Sequence, residues 1–419
     1  MTGRAAVAAP PARAALGPGL IAGAADDDPS GIATYSQVGA QFGYGLLWTL
    51  IASYPLMVAI QEISGRIGYL TGHGLAGNLR RHYPRSLAYA LVALLTLANV
   101  INLGADVGAM GAALALLIAG PVLLYVCLFG AASALLEVFV SYARYAALLK
   151  WLCLSLLTYV ACVFVVHIRW SEVGMALLVP PLKLNSSYVT AVVAVFGTTI
   201  SPYLFFWQAQ QEVEEAAGCP SGKGPAAVRA QLRRIRLDTL IGMGISNLIA
   251  VCIIIAAAAT LHTRGITRIE SAAQAAEALR AVAGPFTVAL FALGIIGTGL
   301  LTLPVLAASA AYAVGELRSW RVGLVQRPKR AKAFYGVVSA ATALGCALNF
   351  THLNPMRALY WSAVLNGIVA VPVMIAMMHL SSRSEVVGAG SLPRGLRMLG
   401  WAGTAVMALT VLALAVSAL

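Results

Sequence analysis

Asp26-Asp27-Asp28-Pro29-Ser30-Gly31 stands in the middle of an apolar run, Leu16–Ala40, that is long enough to cross a bilayer. Adjacent carboxylates do one kind of chemistry well: they ligate hard cations through oxygen, and divalent ions best offset their clustered charge. They are also costly where they stand, since a charge at the bilayer centre costs about 3 kcal/mol on insertion scales. Pro29 adds a second disruption, because it has no backbone donor and clashes with the preceding turn. Such a segment persists only where it faces a cavity or a bound cation. Asp28 immediately precedes the proline and belongs at the break itself. Asp26 and Asp27 point to other sides of the helix, so all three cannot hold one bare ion; they touch its water shell, line its entry path, or only keep a vestibule wet.

A second run, Ser187–Gln210, carries Gly197-Thr198-Thr199-Ile200-Ser201-Pro202-Tyr203 well inside it. A half-helix that ends before a proline exposes carbonyls that have lost their donors, and these make cation ligands. The bland alternative is a simple kink at Pro202, with Thr198 and Thr199 re-satisfying the backbone. A third run holds Asn99, Asn102 and Asp106, spaced three and four apart and hence on one helical face. An intramembrane Asp is a functional hypothesis by default, so Asp106 with Asn102 is a relay or vestibule candidate. Glu62, beside Arg66 near the end of the second run, reads as a gate or anchoring ion pair. Glu137 and Asn366 are weaker candidates, and Gln208, Gln210 and Gln211 follow the second break along the inner path.

The elements that must position these residues are apolar spans. With 60% hydrophobic residues, 10% charged residues and a mean hydropathy of +0.84, the chain reads as a polytopic membrane protein. Eleven runs reach spanning length: Leu16–Ala40, Leu46–Ile67, Ser86–Ile118, Pro121–Val140, Tyr145–Ile168, Ser187–Gln210, Thr239–Leu261, Pro285–Val314, Phe334–Thr351, Pro355–Leu380 and Met398–Leu419. Placing the N-terminus in the cytoplasm puts 22 of the 28 Lys and Arg inside and 6 outside, which sets the topology and leaves the C-terminus outside. The stretch with Arg4 and Arg13 is read as the lead-in to the first span and not as a signal peptide. The net charge of +13 therefore orients the protein and does not bind nucleic acid. The six cysteines are scattered without metal-ligand spacing and serve as small apolar residues. Residues 267–280 show helical spacing and are expected to lie along the membrane surface.

The first and sixth spans each begin a five-span unit, and an odd number of spans forces the second unit to enter from the opposite side. That is inverted-repeat geometry with paired discontinuous helices at the midplane. Repeat one covers about residues 15–168, repeat two about 187–380, and an extra helix about 398–419, within a single transmembrane transporter domain over 1–419. There is no P-loop, nucleotide-binding module or His cluster, so ion gradients or membrane potential would drive transport.

Gly17-Pro18-Gly19-Leu20, Asp28-Pro29-Ser30-Gly31, Gln61-Glu62-Ile63-Ser64-Gly65-Arg66-Ile67-Gly68 and Thr71-Gly72-His73-Gly74-Leu75 resemble the first two segments of the natural resistance-associated macrophage protein (NRAMP) family. Ala105-Asp106-Val107-Gly108 resembles its acidic third-segment motif, and Ile200-Ser201-Pro202-Tyr203 its broken sixth segment. The resemblance implies an all-α integral membrane transporter of LeuT-like architecture, with about 11 transmembrane helices, that imports divalent metal ions. It also implies a ligand set of Asp28, Gly31, Thr198 and Ser201. Gly31 stands where better-known members have a ligand Asn, Ser201 where they have a thioether, Tyr203 and Gln208 where they have histidines, and Thr198 where a backbone carbonyl ligates. Asp26, Asp27, Ser30, Thr199, Tyr203 and Gln208 fall in the vestibule or outer shell, and Asp106, Asn102 and Glu62 in a relay or gate.

These departures have a direction. A thioether favours softer transition metals, whereas a roomier all-oxygen site suits Mg²⁺, which dehydrates reluctantly. The expected function is uptake of Mg²⁺, or of a broad range including Mn²⁺, with weak or no proton coupling because both histidines are gone. The same fold carrying a metal chelate or organic solute, and a non-transporting sensor, are the alternatives. The expected setting is a bacterial-type inner membrane, with a monomer whose partners are the bilayer and a divalent cation as substrate; no cofactor, nucleic acid or ATP-binding domain is expected, and no enzymatic activity.

Overall fold

The computed structural model describes residues 17–140, 154–182, 185–218, 224–351, 353–387 and 392–417, and every regular element among them is helical. In chain order the principal helices are α1 (Pro18–Asp26), α2 (Pro29–Phe42), α3 (Leu47–Thr71), α4 (Leu75–His82), α5 (Arg85–Leu117), α6 (Val122–Phe139), α7 (Leu157–Val165) and α8 (Trp170–Leu178). They continue as α9 (Ser186–Thr199), α10 (Pro202–Gly218), α11 (Pro225–Thr260), α12 (Ala272–Ala276), α13 (Thr287–Leu317), α14 (Lys332–Leu348), α15 (Pro355–Ser382) and α16 (Arg394–Ser417). Residues 145–153 of the expected fifth span lie outside the described residues, as do Arg4, Arg13, Arg144 and Lys150.

Among the described residues, eight helical stretches are long and apolar enough to cross a membrane, or nine if the bent pair α7–α8 is one span. Helices α1 and α2 are each too short to cross alone, and α3 is diluted by Gln61, Glu62, Ser64 and Arg66. The fifth span differs from the expected run to Ile168: it stops at Val165, and the chain turns by 108° into α8. The basic stretch before the seventh span is continuous with it in the 36-residue α11.

The packing is reciprocal. Helix α1 lies along α11, α10 lies along α3, and α5 lies along α13. Helix α2 also lies along α11, so the second half of each broken span packs on the second span of the other unit, α2 on α11 and α10 on α3, as an inverted repeat requires. The α1–α11 seam is a backbone-to-backbone approach: Gly19 and Gly23 stand one turn apart, and a side chain on Gly23 would run into the Gly242 backbone.

Loops sort to two faces. On the basic face, Glu316 accepts from the backbone of Gly74 (2.7 Å) and Gly77 (2.8 Å), Glu212 pairs with Arg234 (2.7 Å), and Asp238 accepts from Gly19 N (2.7 Å). On the opposite face, Gln37 donates to Thr267 O and accepts from Ile269 N, and Asn354 donates to Glu270 O. Residues 267–280 do not form the continuous surface helix expected from their spacing. After a Ser271 cap they break into short helical pieces whose Ala275, Ala276, Ala278 and Leu279 are buried. Those apolar positions find the protein body before they find lipid.

Candidate metal site

The first break is dictated locally. A residue before proline is pushed out of the helical region, and Asp28 accordingly adopts φ −70°, ψ 169° between the end of α1 and Pro29 at the start of α2. That conformation makes Asp28 the N-cap of α2: its Oδ1 accepts from Gly31 N at 2.6 Å and from Ser30 Oγ at 2.7 Å. Its Oδ2 accepts from Asn102 Nδ2 on α5 at 3.0 Å. These bonds fix both carboxylate oxygens, with the Ser30 backbone N–H alongside.

The second break is crossed by its own serine. Ser201 Oγ donates to Gly197 O at 2.8 Å and to Thr198 O at 2.9 Å, the latter being the carbonyl whose helical donor the missing N–H of Pro202 removes. Thr199 Oγ1 bonds back to Val195 O at 3.0 Å and stays within α9. The two breaks face one another in antiparallel fashion. Tyr203 OH, in the first turn of α10, donates to Ala25 O at the end of α1 (2.9 Å), and Ser309 Oγ on α13 holds Tyr203 O at 2.9 Å. Across from this, Gly31 opposes the end of α9: a Cβ there would sit 3.2 Å from Thr198 Oγ1 and 3.3 Å from both Asp26 O and Asp28 Oδ1. A side chain at position 31 would therefore project into the space between Asp28 and Thr198.

The structure thus brings Asp28, Ser30, Gly31, Thr198, Ser201, Tyr203 and Asn102 to one place. Asp106, one turn beyond Asn102, is fully buried, with the Ser30 backbone N–H and Asp28 as its neighbours. Asp26 and Asp27 do not spread around α1 or keep a vestibule wet. They are buried, and both face Ser246 on α11, whose Oγ lies 2.7 Å from Asp26 Oδ2 and 3.1 Å from Asp27 Oδ1. The α1 end that carries this carboxylate pair packs against both α10 and α11. Gln208 lies away from the breaks, donating to Thr239 Oγ1 at 2.9 Å with Gly65 alongside. Glu62 pairs with Arg66 at 2.5 Å within α3, as an anchor and not at the break. Among the weaker candidates, Asn99 ties α5 to Leu306 O, Gln211 donates to Tyr312 OH and Glu137 accepts from Ser133.

Two contributors escaped the sequence reading: Ser246, and Thr302, which reaches Ala25 O at 3.4 Å. Ser246-Asn247, a polar pair deep in the seventh span, was the available signal. Among the described residues no Lys, Arg or His forms an ion pair with Asp26, Asp27, Asp28 or Asp106. No three His, Cys, Asp or Glu side chains converge in metal-binding geometry there either. A cation at this place would be held by one carboxylate with hydroxyl, carbonyl and water oxygens.

Access comes from the face bearing Arg268 and Arg357. A vestibule of about 600 Å³ opens there between α2, α9 and α15 and reaches inward as far as Ala33, a little more than one turn above Asp28. Toward the basic face Gln61 Nε2 holds Leu204 O at 3.0 Å and Ser64 Oγ holds Phe205 O at 2.5 Å, pinning α10 to α3.

The fold has solved counterparts. The chain is similar to a manganese transporter of Eremococcus coleocola in complex with an aromatic bis-isothiourea compound, with a TM-score of 0.75, 18% identity, and 94% of this chain and 84% of that one covered. It is also similar to Mhp1, a nucleobase-cation-symport-1 family transporter, in a closed conformation, with a TM-score of 0.57, 14% identity and coverages of 96% and 93%. These likenesses establish the LeuT-like fold. In sequence, the chain is 26% identical over 402 residues to the divalent metal cation transporter MntH of Klebsiella pneumoniae, covering 94% of this chain and 92% of that protein. It is 29% identical over 293 residues to MntH of Yersinia enterocolitica, covering 68% of each. The model of the natural resistance-associated macrophage protein-like family matches residues 19–417, and the chain belongs to that family.

Proposed function

We propose that this protein is a multi-pass transporter of divalent metal cations, with Asp28 as the charged ligand and Mg²⁺, or a range including Mg²⁺ and Mn²⁺, as substrate. The observation that carries the reading is a carboxylate at a helix break, surrounded by oxygen and amide groups and free of any cationic partner among the described residues. Such a group is stabilised by an incoming cation and by little else at membrane depth. The relatives named as divalent metal cation transporters support the substrate class.

The finer preference rests on what surrounds Asp28. Gly31 contributes no side chain to the space its Cβ would enter, and Ser201 offers a hydroxyl already turned to its own helix. A site without thioether ligands presents oxygen to the ion, which suits a hard cation. Tyr203 and Gln208 cannot carry protons as histidines do near neutrality, so coupling is weak or absent. The two five-span units, residues 15–168 and 187–380, form one transporter domain that acts as a monomer, with the basic face toward the cytoplasm.

The test is uptake into proteoliposomes from a panel of Mg²⁺, Mn²⁺, Fe²⁺ and Ca²⁺, comparing wild type with Asp28→Asn. Asn is as good an N-cap as Asp, so α2 still starts at Pro29; the charge is removed, and the Asn102 amide turns its oxygen to the new NH2. The expected result is Mg²⁺ and Mn²⁺ uptake in wild type, reduced about 100-fold or more in the variant, without lumenal acidification. Undiminished uptake in Asp28→Asn would remove Asp28 from the site, and acidification would refute weak coupling. One observation favours a second substrate form, an anionic metal chelate: Arg268 and Arg357 line the vestibule against the single carboxylate Glu270. Uptake that requires added citrate would select that form.

A further inference from the structure

A second cavity, of about 370 Å³, lies near the basic face between α3, α11 and α16, away from the breaks. It runs along α3 from Tyr54 to Arg66, twelve residues or about 18 Å of helix. Its walls are apolar, with Pro55, Val58, Leu240, Leu396 and Leu399 among them, and Leu399 is 41% exposed at its open side. Its end toward the basic face is cationic: Arg66 and Arg236 flank Glu62, leaving one net positive charge.

The guanidinium of Arg66 is the informative group. The residue is 93% buried by its 7% exposure, one of its nitrogens pairs with Glu62 Oε1, and its Nε has no partner. The rest of the guanidinium lines the cavity beside Arg236, so an anion entering there meets two cationic groups. Glu62 offsets one of the two through its Oε1, and Arg236 can only donate. The groove therefore fits an occupant that carries negative charge at one end and an apolar chain along the rest.

We propose that this groove binds an anionic phospholipid from the leaflet at the basic face, its phosphate held between the Arg66 and Arg236 guanidinium groups and an acyl chain lying along Tyr54 to Val58. Basic pockets between transmembrane helices bind phospholipid head groups by this combination of charge and slot, and about 18 Å of groove matches half of a hydrocarbon core about 30 Å thick. The lipid has a mechanical consequence, because α3 also carries Gln61 and Ser64, which pin the half-helix α10 beside the breaks. An occupied groove stiffens the helix against which α10 is held.

The test uses the full-length protein purified in detergent and follows its melting temperature on titration with phosphatidylglycerol, phosphatidylcholine or inorganic phosphate. Phosphatidylglycerol is expected to raise the melting temperature of wild type more than the other two. Arg236→Gln, an exposed substitution that leaves the Glu62–Arg66 pair in place, is expected to weaken the phosphatidylglycerol midpoint about fivefold. Arg321→Gln, on the same face but outside the groove, is expected to leave it unchanged. Equal stabilisation by phosphatidylcholine, an unaltered midpoint in Arg236→Gln, or full stabilisation by inorganic phosphate would each overturn the assignment.

Discussion

Ser201→Met separates a residue that touches the ion from one that only completes a helix. In the structure, one hydroxyl hydrogen serves two carbonyls, Gly197 O at 2.8 Å and Thr198 O at 2.9 Å. Methionine removes that donor, which costs about 1–3 kcal/mol for buried acceptors left unmade, and adds volume at a buried position for about 1–3 kcal/mol more. The thioether is flexible enough to find space, so the variant is expected to fold with a lower melting temperature. Two changes then act on the ion: Thr198 O is released from its hydroxyl, and a soft ligand appears beside it. The ratio of kcat/KM for Mn²⁺ over Mg²⁺ is expected to rise at least about tenfold, equivalent to about 1.4 kcal/mol. Ser201→Ala is the control, because it loses the same hydroxyl without gaining sulfur; its melting temperature falls while its ion ratio stays within about threefold of wild type. A folded, transporting Ser201→Met with an unchanged ratio would show that Ser201 is a helix cap and not a ligand.

Two further substitutions test the supports of the site. Asn102→Leu removes the amide that holds Asp28 Oδ2 at 3.0 Å, and loss of such an orienting partner is expected to raise the KM for metal uptake about 10–100-fold; an unchanged KM would confine Asn102 to a structural role. Gly242→Leu places a side chain against the Gly19 carbonyl and Leu20 at the α1–α11 seam, so α1 is displaced and the melting temperature drops, consistent with an overpacking cost of about 1–3 kcal/mol. A variant as heat-stable as wild type would mean that α1 does not depend on that close approach.

Both breaks were legible in the sequence because proline acts through covalent geometry. Pro29 and Pro202 each remove a donor and restrict the residue before them, whatever the rest of the chain does. Asp28 as a cap follows from the same local rule, and the apolar spans follow from composition. The bend at Val165 was not legible, because an apolar run of that length is equally compatible with one straight span. Nor was the collapse of residues 267–280 into short buried pieces, whose spacing fits a membrane surface and a protein surface alike.

What the sequence determined alone is where the helices must break and which oxygen-bearing side chains stand at the breaks. Which of those groups meet was decided only by tertiary structure. Asp26 and Asp27 turn to Ser246, which is 220 and 219 residues away; Tyr203 caps Ala25 across 178 residues; and Asn102 reaches Asp28 across 74. The reason is geometric. A proline sets backbone angles at its own position, but the partner of a buried polar group is whichever one the helix crossings carry to within about 3 Å, and those crossings are set by small-residue seams such as Gly23 against Gly242.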